Sequence, residues 1–501
     1  MPPLARKRVV VSLAVVALCS CAGTEEKTLR IVLRTPPLSL DPQTTDDNST
    51  LEVLGNVYEP LVRFDADLKL VPHLAARWTN PNETTWRFEL RRDVTFQGGR
   101  PLSARDVKFT LDRALRHPES WVKSAIPLAE KALVRDDHTI DIVTRGPAAL
   151  LLNQLTEVMV LPQGSEDSLG KRPNGTGPYR LVHWVAKRRA ELERFDGYWG
   201  PKPRWSRATF QAEPDGRARI DAVLRGAADI GEAPAIDDVP RLLATPGARL
   251  LRHPGLRVAI LGFNLEPSPG NPFAEASVRQ AASLALDRKA IIREALSGLA
   301  APVSQLAPAP VFGYLPDMPP LEQDLGAAHA ALGASRLPGG FEEVLYFTER
   351  DRRVASMIVR QAAAVGIRFE PKEVAWEELD RLMMARRARA YVFVMTFPSV
   401  DATDLLLTGF HTPSEDRRYG MLNFSAYSDR EMDCLIEESD RDLNYRSRLG
   451  TLRRAMEKAV AADAWLPLCA PDTLFAVRRG LTWSAGASGR IDLREIAESN
   501  E

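Results

Sequence analysis

The sequence is poor in the residues from which catalytic and metal sites are usually built: 501 residues include 4 cysteines and 7 histidines. The histidines (His73, His117, His138, His183, His253, His329 and His411) are scattered, with no His-x-His or His-Glu-x-x-His spacing to converge on zinc. No metal is therefore expected. There is no Gly-x-Ser-x-Gly elbow, and no glycine-rich loop opens a helix after a strand, so nothing prepares an activated serine or a nucleotide cofactor. Carboxylates are abundant, as on any solvated surface, and leave a hydrolase without a supporting constellation. Charge excess is missing too. Lys plus Arg and Asp plus Glu each number 66, which argues against nucleic acid or an anionic bilayer surface as a partner. The apolar run Val9 to Leu18 falls far short of the ~20 residues that span a bilayer.

That run follows Arg6-Lys7-Arg8 and closes on Leu18-Cys19-Ser20-Cys21, which is similar to a bacterial lipoprotein signal. Cys21 follows a small residue and is the expected acylation site; Cys19 follows bulky Leu18 and fits the pattern less well. Residues 1–21 then read as the signal and 22–27 as a polar tether, giving an exported chain anchored on the periplasmic or extracellular face of a membrane. Only Cys434 and Cys469 remain beyond the signal. An oxidising location permits a disulfide between them, since the first falls on a helix and the second on a strand soon after.

The remaining length exceeds what one core organises, so two or three units are expected. Leu29 to Leu33 reads as a strand, broken at Pro36-Pro37 and Asp41-Pro42. Leu74 to Trp78 leads through a turn at Asn80-Pro81-Asn82 into a strand carrying Trp86, Phe88 and Leu90, and Val94 with Phe96 suggests another. Ser103 with Asp106 predicts a capped helix ending at His117-Pro118. Asn174 to Tyr179 is a glycine-rich crossing followed by no helix and no phosphate-binding lysine, and it reads as a structural crossing between lobes. Strand, helix and strand over Val344–Phe369, with Gly366 as helix stop, predict a parallel pair with a right-handed crossover. Ser428 with Glu431 predicts a second capped helix.

Taken in order, these segments resemble family 5 of the extracellular solute-binding proteins, the peptide and nickel receptors of ABC importers. The residues that carry the resemblance run from Leu74-Ala75-Ala76-Arg77-Trp78 through Trp86-Arg87-Phe88 to Phe96-Gln97-Gly98-Gly99 and Asp106-Val107. Leu40-Asp41-Pro42, Tyr58 to Val62, Gly175-Thr176-Gly177-Pro178-Tyr179, Tyr198-Trp199-Gly200 and Asp463 to Leu468 add to it. The resemblance implies an α/β fold: a two-lobed, three-domain clamp of the class II periplasmic-binding-protein type. The first lobe would comprise 28–65, 173–262 and 469–501 with an accessory domain at 66–172, and the second lobe 263–468. It implies a lipid-anchored receptor, not an enzyme, that captures a peptide-like ligand and delivers it to an ABC permease, as a monomer without cofactor. The alternatives are a receptor-like signalling or chaperone protein, and a hydrolase. Expected ligand-binding residues are Thr45 and Asp46 from one lobe and Arg350, Phe397, Asp401 and Asp404 from the other. In many peptide binders an aspartate three positions before a conserved Asp-Pro holds the ligand amine; aligned on Asp401, that position here is Pro398.

Overall fold

The computed structural model describes residues 27–415, 419–483 and 489–499; the expected lipidation site Cys21 lies outside them. Two mixed sheets organise the chain. The first has seven strands in the order Ala248–His253, Thr473–Arg478, Ile230–Glu232, Thr28–Leu33, Arg207–Ala212, Arg189–Arg194, Tyr179–Val185. Thr28–Leu33 pairs in parallel with neighbours on both sides, Ile31 lying opposite Phe210 and Ile230. Its alternation buries Leu29, Ile31 and Leu33 on one face, as period-two spacing requires.

The second sheet has six strands: Ala300–Ala301, Trp465–Pro471, Arg257–Phe263, Ala390–Thr396, Phe341–Phe347, Ile367–Glu373. Arg257–Phe263 is buried from its second residue onward because both sheet faces are covered. Val258 and Ile260 enter one core with Tyr391, Phe393 and Trp465, whereas Ala259, Leu261 and Phe263 enter another with Val392 and Leu466. The predicted crossover is present: Phe341–Phe347 and Ile367–Glu373 are parallel, joined by the helix Arg352–Ala363, with Gly366 at φ +92°.

A smaller four-stranded sheet, Ala75–Asn82, Thr85–Leu90, Thr139–Thr144, Ala129–Asp136, is packed by the helix Ala104–Arg116. The expected cap forms, the Asp106 carboxylate accepting from the Ser103 amide at 2.8 Å. The first strand of this sheet runs straight through Asn80-Pro81-Asn82 instead of turning there. It is an edge strand with an irregular register between Thr79 and Asn82, where proline is tolerated. Val94 and Phe96 make no strand; a turn at Gly99 leaves one bridge, Thr95 to Pro101.

Further corrections concern the joints. Arg257–Phe263 belongs to the six-stranded sheet, so the chain enters the second lobe at Pro254-Gly255, ahead of the expected boundary at 263, and returns at Asp472, after the expected 468. The helix Arg430–Arg441 is capped by Asp429, which accepts from the Met432 amide at 3.0 Å, while Ser428 pairs with Thr412. A carboxylate at the positive end of a helix outcompetes the neighbouring hydroxyl. Cys434 and Cys469 are both free. Cys469 points into one core of the six-stranded sheet, while Cys434 sits on the exposed side of a helix packed against the other face.

The glycine-rich crossing joins the accessory sheet to the seven-stranded sheet within the first lobe, not one lobe to the other. Gln97 donates to the Tyr179 carbonyl at 2.6 Å and the Gln97 amide to the Gly175 carbonyl at 2.9 Å. Beneath them Glu59 is buried and collects Thr176 (2.9 Å), Tyr198 (2.8 Å), Trp199 (2.9 Å) and His73 (3.0 Å), with Arg494 at 3.5 Å. Burial alone would raise the Glu59 pKa, but the His73 hydrogen bond and these neighbours hold it below the ordinary carboxylate range. At Gly175 an added Cβ would stand 1.9 Å from the Val57 carbonyl oxygen. Gly175→Ala is accordingly expected to cost at least about 3 kcal/mol, read as a lowered urea midpoint with an unchanged slope; a loss under about 1 kcal/mol means that the two segments separate easily.

Candidate functional site

In open α/β sheets ligands collect beyond the carboxyl ends of parallel strands. In the seven-stranded sheet those ends carry Arg34, just after Leu33, and Glu232, closing Ile230–Glu232; the Glu232 carboxylate accepts from the Arg34 amide at 2.9 Å. In the six-stranded sheet the corresponding edge carries Arg350, after Phe341–Phe347, and Thr396, which lies in register with Arg257. Both crossings between the lobes, Pro254-Gly255 and Asp472, leave from that edge. One cleft results, with each lobe contributing the carboxyl ends of its parallel strands.

The lobes touch on either flank of this cleft. Asn153 donates to the Ser399 carbonyl at 2.7 Å and the Ala149 amide to the Asp440 carbonyl at 3.1 Å, while Arg353 pairs with Asp237. Ile236, Phe64 and Leu68 of the first lobe pack against the cores of the second.

Charge is concentrated between the flanks. Burial, then Arg350 and to a lesser degree Arg34, brings the Arg257 guanidinium down to about 10, with Glu232 and Asp472 opposing. Arg34, though exposed, stands in the crowded mouth of the cleft; that crowding, then the Arg350 charge, holds its pKa below the usual arginine value against Glu232, Asp351 and Glu349. Glu52 lies deeper. Burial and then Glu232 push its pKa up to about 8, opposed by the Ile491 amide at 2.6 Å and by Arg490. The site thus has an arginine-rich centre and a carboxyl group that stays protonated at neutral pH.

Of the residues expected from sequence, the structure spends two elsewhere. Asp401 is 1% exposed and locked in a bidentate pair with Arg448 (2.7 and 2.8 Å), and its carboxylate also caps a helix through the Thr403 amide at 2.9 Å. Phe397 is likewise 1% exposed, a core residue of the second lobe. Neither faces a ligand. Thr45 accepts from the Asp47 amide within a loop that docks on the accessory helix, where Arg113 binds Gln43 at 2.7 Å, and Asp46 is exposed. Among the described residues, no hydrogen bond or ion pair joins these two to the expected second-lobe residues. Asp404 lies beside the lobe contact, accepting from Ser399 at 3.0 Å. Arg350 stands at the cleft with only a 3.7 Å approach to Asp351. Sequence reasoning passed over Arg34, Arg257 and Glu232; the available signal was a charged residue at the end of an apolar strand.

Such an assembly, two α/β lobes joined by two crossings around a polar cleft, defines a ligand-binding clamp. The model of the bacterial extracellular solute-binding proteins, family 5, matches residues 69–416. The chain is 24% identical over 483 residues to the dipeptide-binding protein of Escherichia coli, covering 88% of this chain and 89% of that one. It is 24% identical over 452 residues to heme-binding protein A of Haemophilus influenzae, with 82% and 81% covered. Among solved structures, the periplasmic binding protein DppA of Helicobacter pylori, in complex with the peptide STSA, superposes with a TM-score of 0.82 at 21% identity over 94% of this chain and 98% of that one. The chain belongs to family 5 of the bacterial extracellular solute-binding proteins, and it is a binding protein, not an enzyme.

Asp404, beside the lobe contact, ties the stability of the fold to pH. Burial, relieved by Ser399 and reinforced by Asp401 and Asp440, pushes its pKa from 3.8 up to about 6. A carboxyl whose folded pKa is raised favours the folded state while protonated, and that advantage is lost as pH rises through about 6. Asp404→Asn is therefore expected to gain on the wild type by about 1–2 kcal/mol at pH 8 and to differ little at pH 4.5. Calorimetry at both pH values checks this, and equal gains at the two exclude titration of Asp404 as the cause.

Proposed function

We propose that this protein is the extracytoplasmic receptor of an ABC importer, that it encloses a peptide-like solute between its lobes, and that acyl chains on Cys21 hold it at the membrane. The observation that carries the reading is the cleft itself: an arginine-rich centre framed by the carboxyl ends of strands from both lobes, with direct lobe contacts on its flanks. The likeness to a dipeptide-binding protein and to a periplasmic binding protein complexed with STSA supports a peptide-like ligand. Closure around that ligand would present the joined lobes to a permease. The Leu18 to Cys21 pattern supports lipid attachment; each buried methylene contributes ~0.8 kcal/mol, which would retain at a bilayer a chain that has no excess of positive charge to hold it there.

The amine end is where this chain departs from the common pattern. Pro398 has no charge, and Asp401 is spent on Arg448. Enclosing a free ammonium without a partner costs several kcal/mol, so blocked or modified peptides, or longer segments whose ends lie outside, are the expected ligands.

Two measurements follow. Isothermal titration of matched free and N-acetylated peptides should give affinities within tenfold of each other; a free peptide bound more tightly by over about 1.4 kcal/mol means that another residue anchors the amine. Cys21→Ala should leave the chain unprocessed or released from membranes, and a variant that is still processed and membrane-bound rules out lipidation at Cys21.

A further inference from the structure

The end of the first lobe that carries the tether is basic. Lys27 is held at the amino edge of the seven-stranded sheet, its carbonyl accepting from the Arg207 amide at 3.3 Å and the Ser206 hydroxyl at 3.1 Å. The cleft lies at the opposite edge, beyond Leu33. Three acids of the amino edge are each divided between two cations. Glu193 meets Arg180 at 2.6 Å and Arg207 at 3.6 Å, and Asp196 meets Lys202 at 2.8 Å and Arg194 at 3.1 Å. Asp229 meets Arg478 at 2.8 Å and Arg30 at 3.0 Å, while Glu498 pairs with Lys27. Arg204, in the loop between Arg189–Arg194 and Arg207–Ala212, and Arg479, just beyond Thr473–Arg478, are exposed; neither side chain has a hydrogen bond or ion pair among the described residues. Zero net charge over the whole chain thus hides a local cationic excess, which Glu25 and Glu26 of the tether reduce without cancelling.

Resting on the lipid anchor of the reading above, we propose that this basic edge lies against the anionic headgroups of the bilayer that holds Cys21. Residues 22–27 reach at most about 20 Å when fully extended. The strand Thr28–Leu33 adds roughly another 20 Å before the cleft edge begins. The tether therefore keeps the amino edge near the headgroups, and turning the cleft edge toward them would consume its whole length. Acyl chains retain the receptor, and the edge orients it. The mouth of the cleft then opens toward the aqueous space from which solute arrives. The attraction is electrostatic, so it acts within a Debye length of an anionic surface and weakens with salt.

The test uses the mature chain without acyl groups, residues 22–501, and sedimented vesicles of phosphatidylcholine alone or with about 30% phosphatidylglycerol. The chain is expected to bind the anionic vesicles at least tenfold more tightly at low salt and to lose that preference at about 0.5 M salt. Arg204→Glu with Arg479→Glu should lose at least tenfold at an unchanged urea midpoint, and Arg204→Gln with Arg479→Gln an intermediate amount. If the Glu pair lowers the midpoint, the Gln pair decides, an unchanged affinity overturning the proposal. Reversing two exposed arginines of the accessory helix, Arg105→Glu with Arg116→Glu, should change binding by less than about threefold. A loss equal to that of the edge pair overturns the assignment to this edge. On vesicles carrying the acylated chain, anionic lipid should slow amide exchange at 195–206 and 479–482; slowing at 34–41 instead means that the cleft edge faces the bilayer and overturns the proposal. Equal binding to both kinds of vesicle overturns it too, while the anchor stands or falls by Cys21→Ala. Polyglutamate bound as tightly as the anionic vesicles, at matched charge, assigns the edge to an acidic protein and overturns the lipid.

Discussion

The architecture depends on one buried carboxylate. Glu59 is 2% exposed, and a charge so placed is tolerable only if its oxygens are fully engaged. The donors come from His73 at the root of the accessory sheet, Thr176 in the crossing loop, and Tyr198 and Trp199 beyond it, with the charge of Arg494, near the end of the chain, at 3.5 Å. Each stretch must therefore be in place before the burial of Glu59 becomes favourable, which makes the first lobe a cooperative unit although its pieces are far apart in sequence. Arg494 is held in turn by Asp492, and Arg91 stacks over the Trp199 ring at 4.5 Å, extending the network to the accessory sheet. The sequence blocks that carry the family resemblance meet here. Tyr58-Glu59, Gly175-Thr176-Gly177 and Tyr198-Trp199 are engaged with one another inside the lobe.

That division of labour explains why the fold was far more legible than the site. Alternation at Leu29–Leu33 and Trp86–Leu90, helical spacing after Ser103 and the stop at Gly366 are local signals, and local backbone preferences agree with the packing that follows. The errors occurred where a distant partner decided. Nothing near Asn80-Pro81-Asn82 says that this strand will lie at an edge, where proline is harmless. Nothing near Cys469 says that its face of the sheet is turned away from Cys434. Asp401 is the clearest case. A polar loop residue ahead of a helix reads equally well as ligand contact or cap, and only Arg448, 47 residues on and beyond two helices, claims it.

The cleft had a different kind of signal. A charged residue at the end of an apolar strand is commonplace, so Arg34, Arg257 and Glu232 do not stand out as single positions. Topology gives them meaning: parallel strands from two sheets place their carboxyl ends at the same junction, and charges there meet across the lobes. Arg350 was reached from sequence through the family resemblance, which points to an arginine in that loop, whereas Arg34 lies just ahead of Pro36-Pro37, in a stretch that the resemblance does not mark.

The charges in the cleft and those in the core obey opposite rules. Glu59 and Asp401 are buried with their partners built in, so they stabilise one arrangement and offer nothing to a solute. Arg34 and Arg350 are exposed at a place where the lobes approach, Arg350 with a 3.7 Å approach to Asp351. A receptor gains from that arrangement. Like charges at a junction of lobes oppose their approach, and a group of opposite charge would relieve that opposition. The same residues packed with internal carboxylates would give a more stable protein that closes whether or not anything is bound.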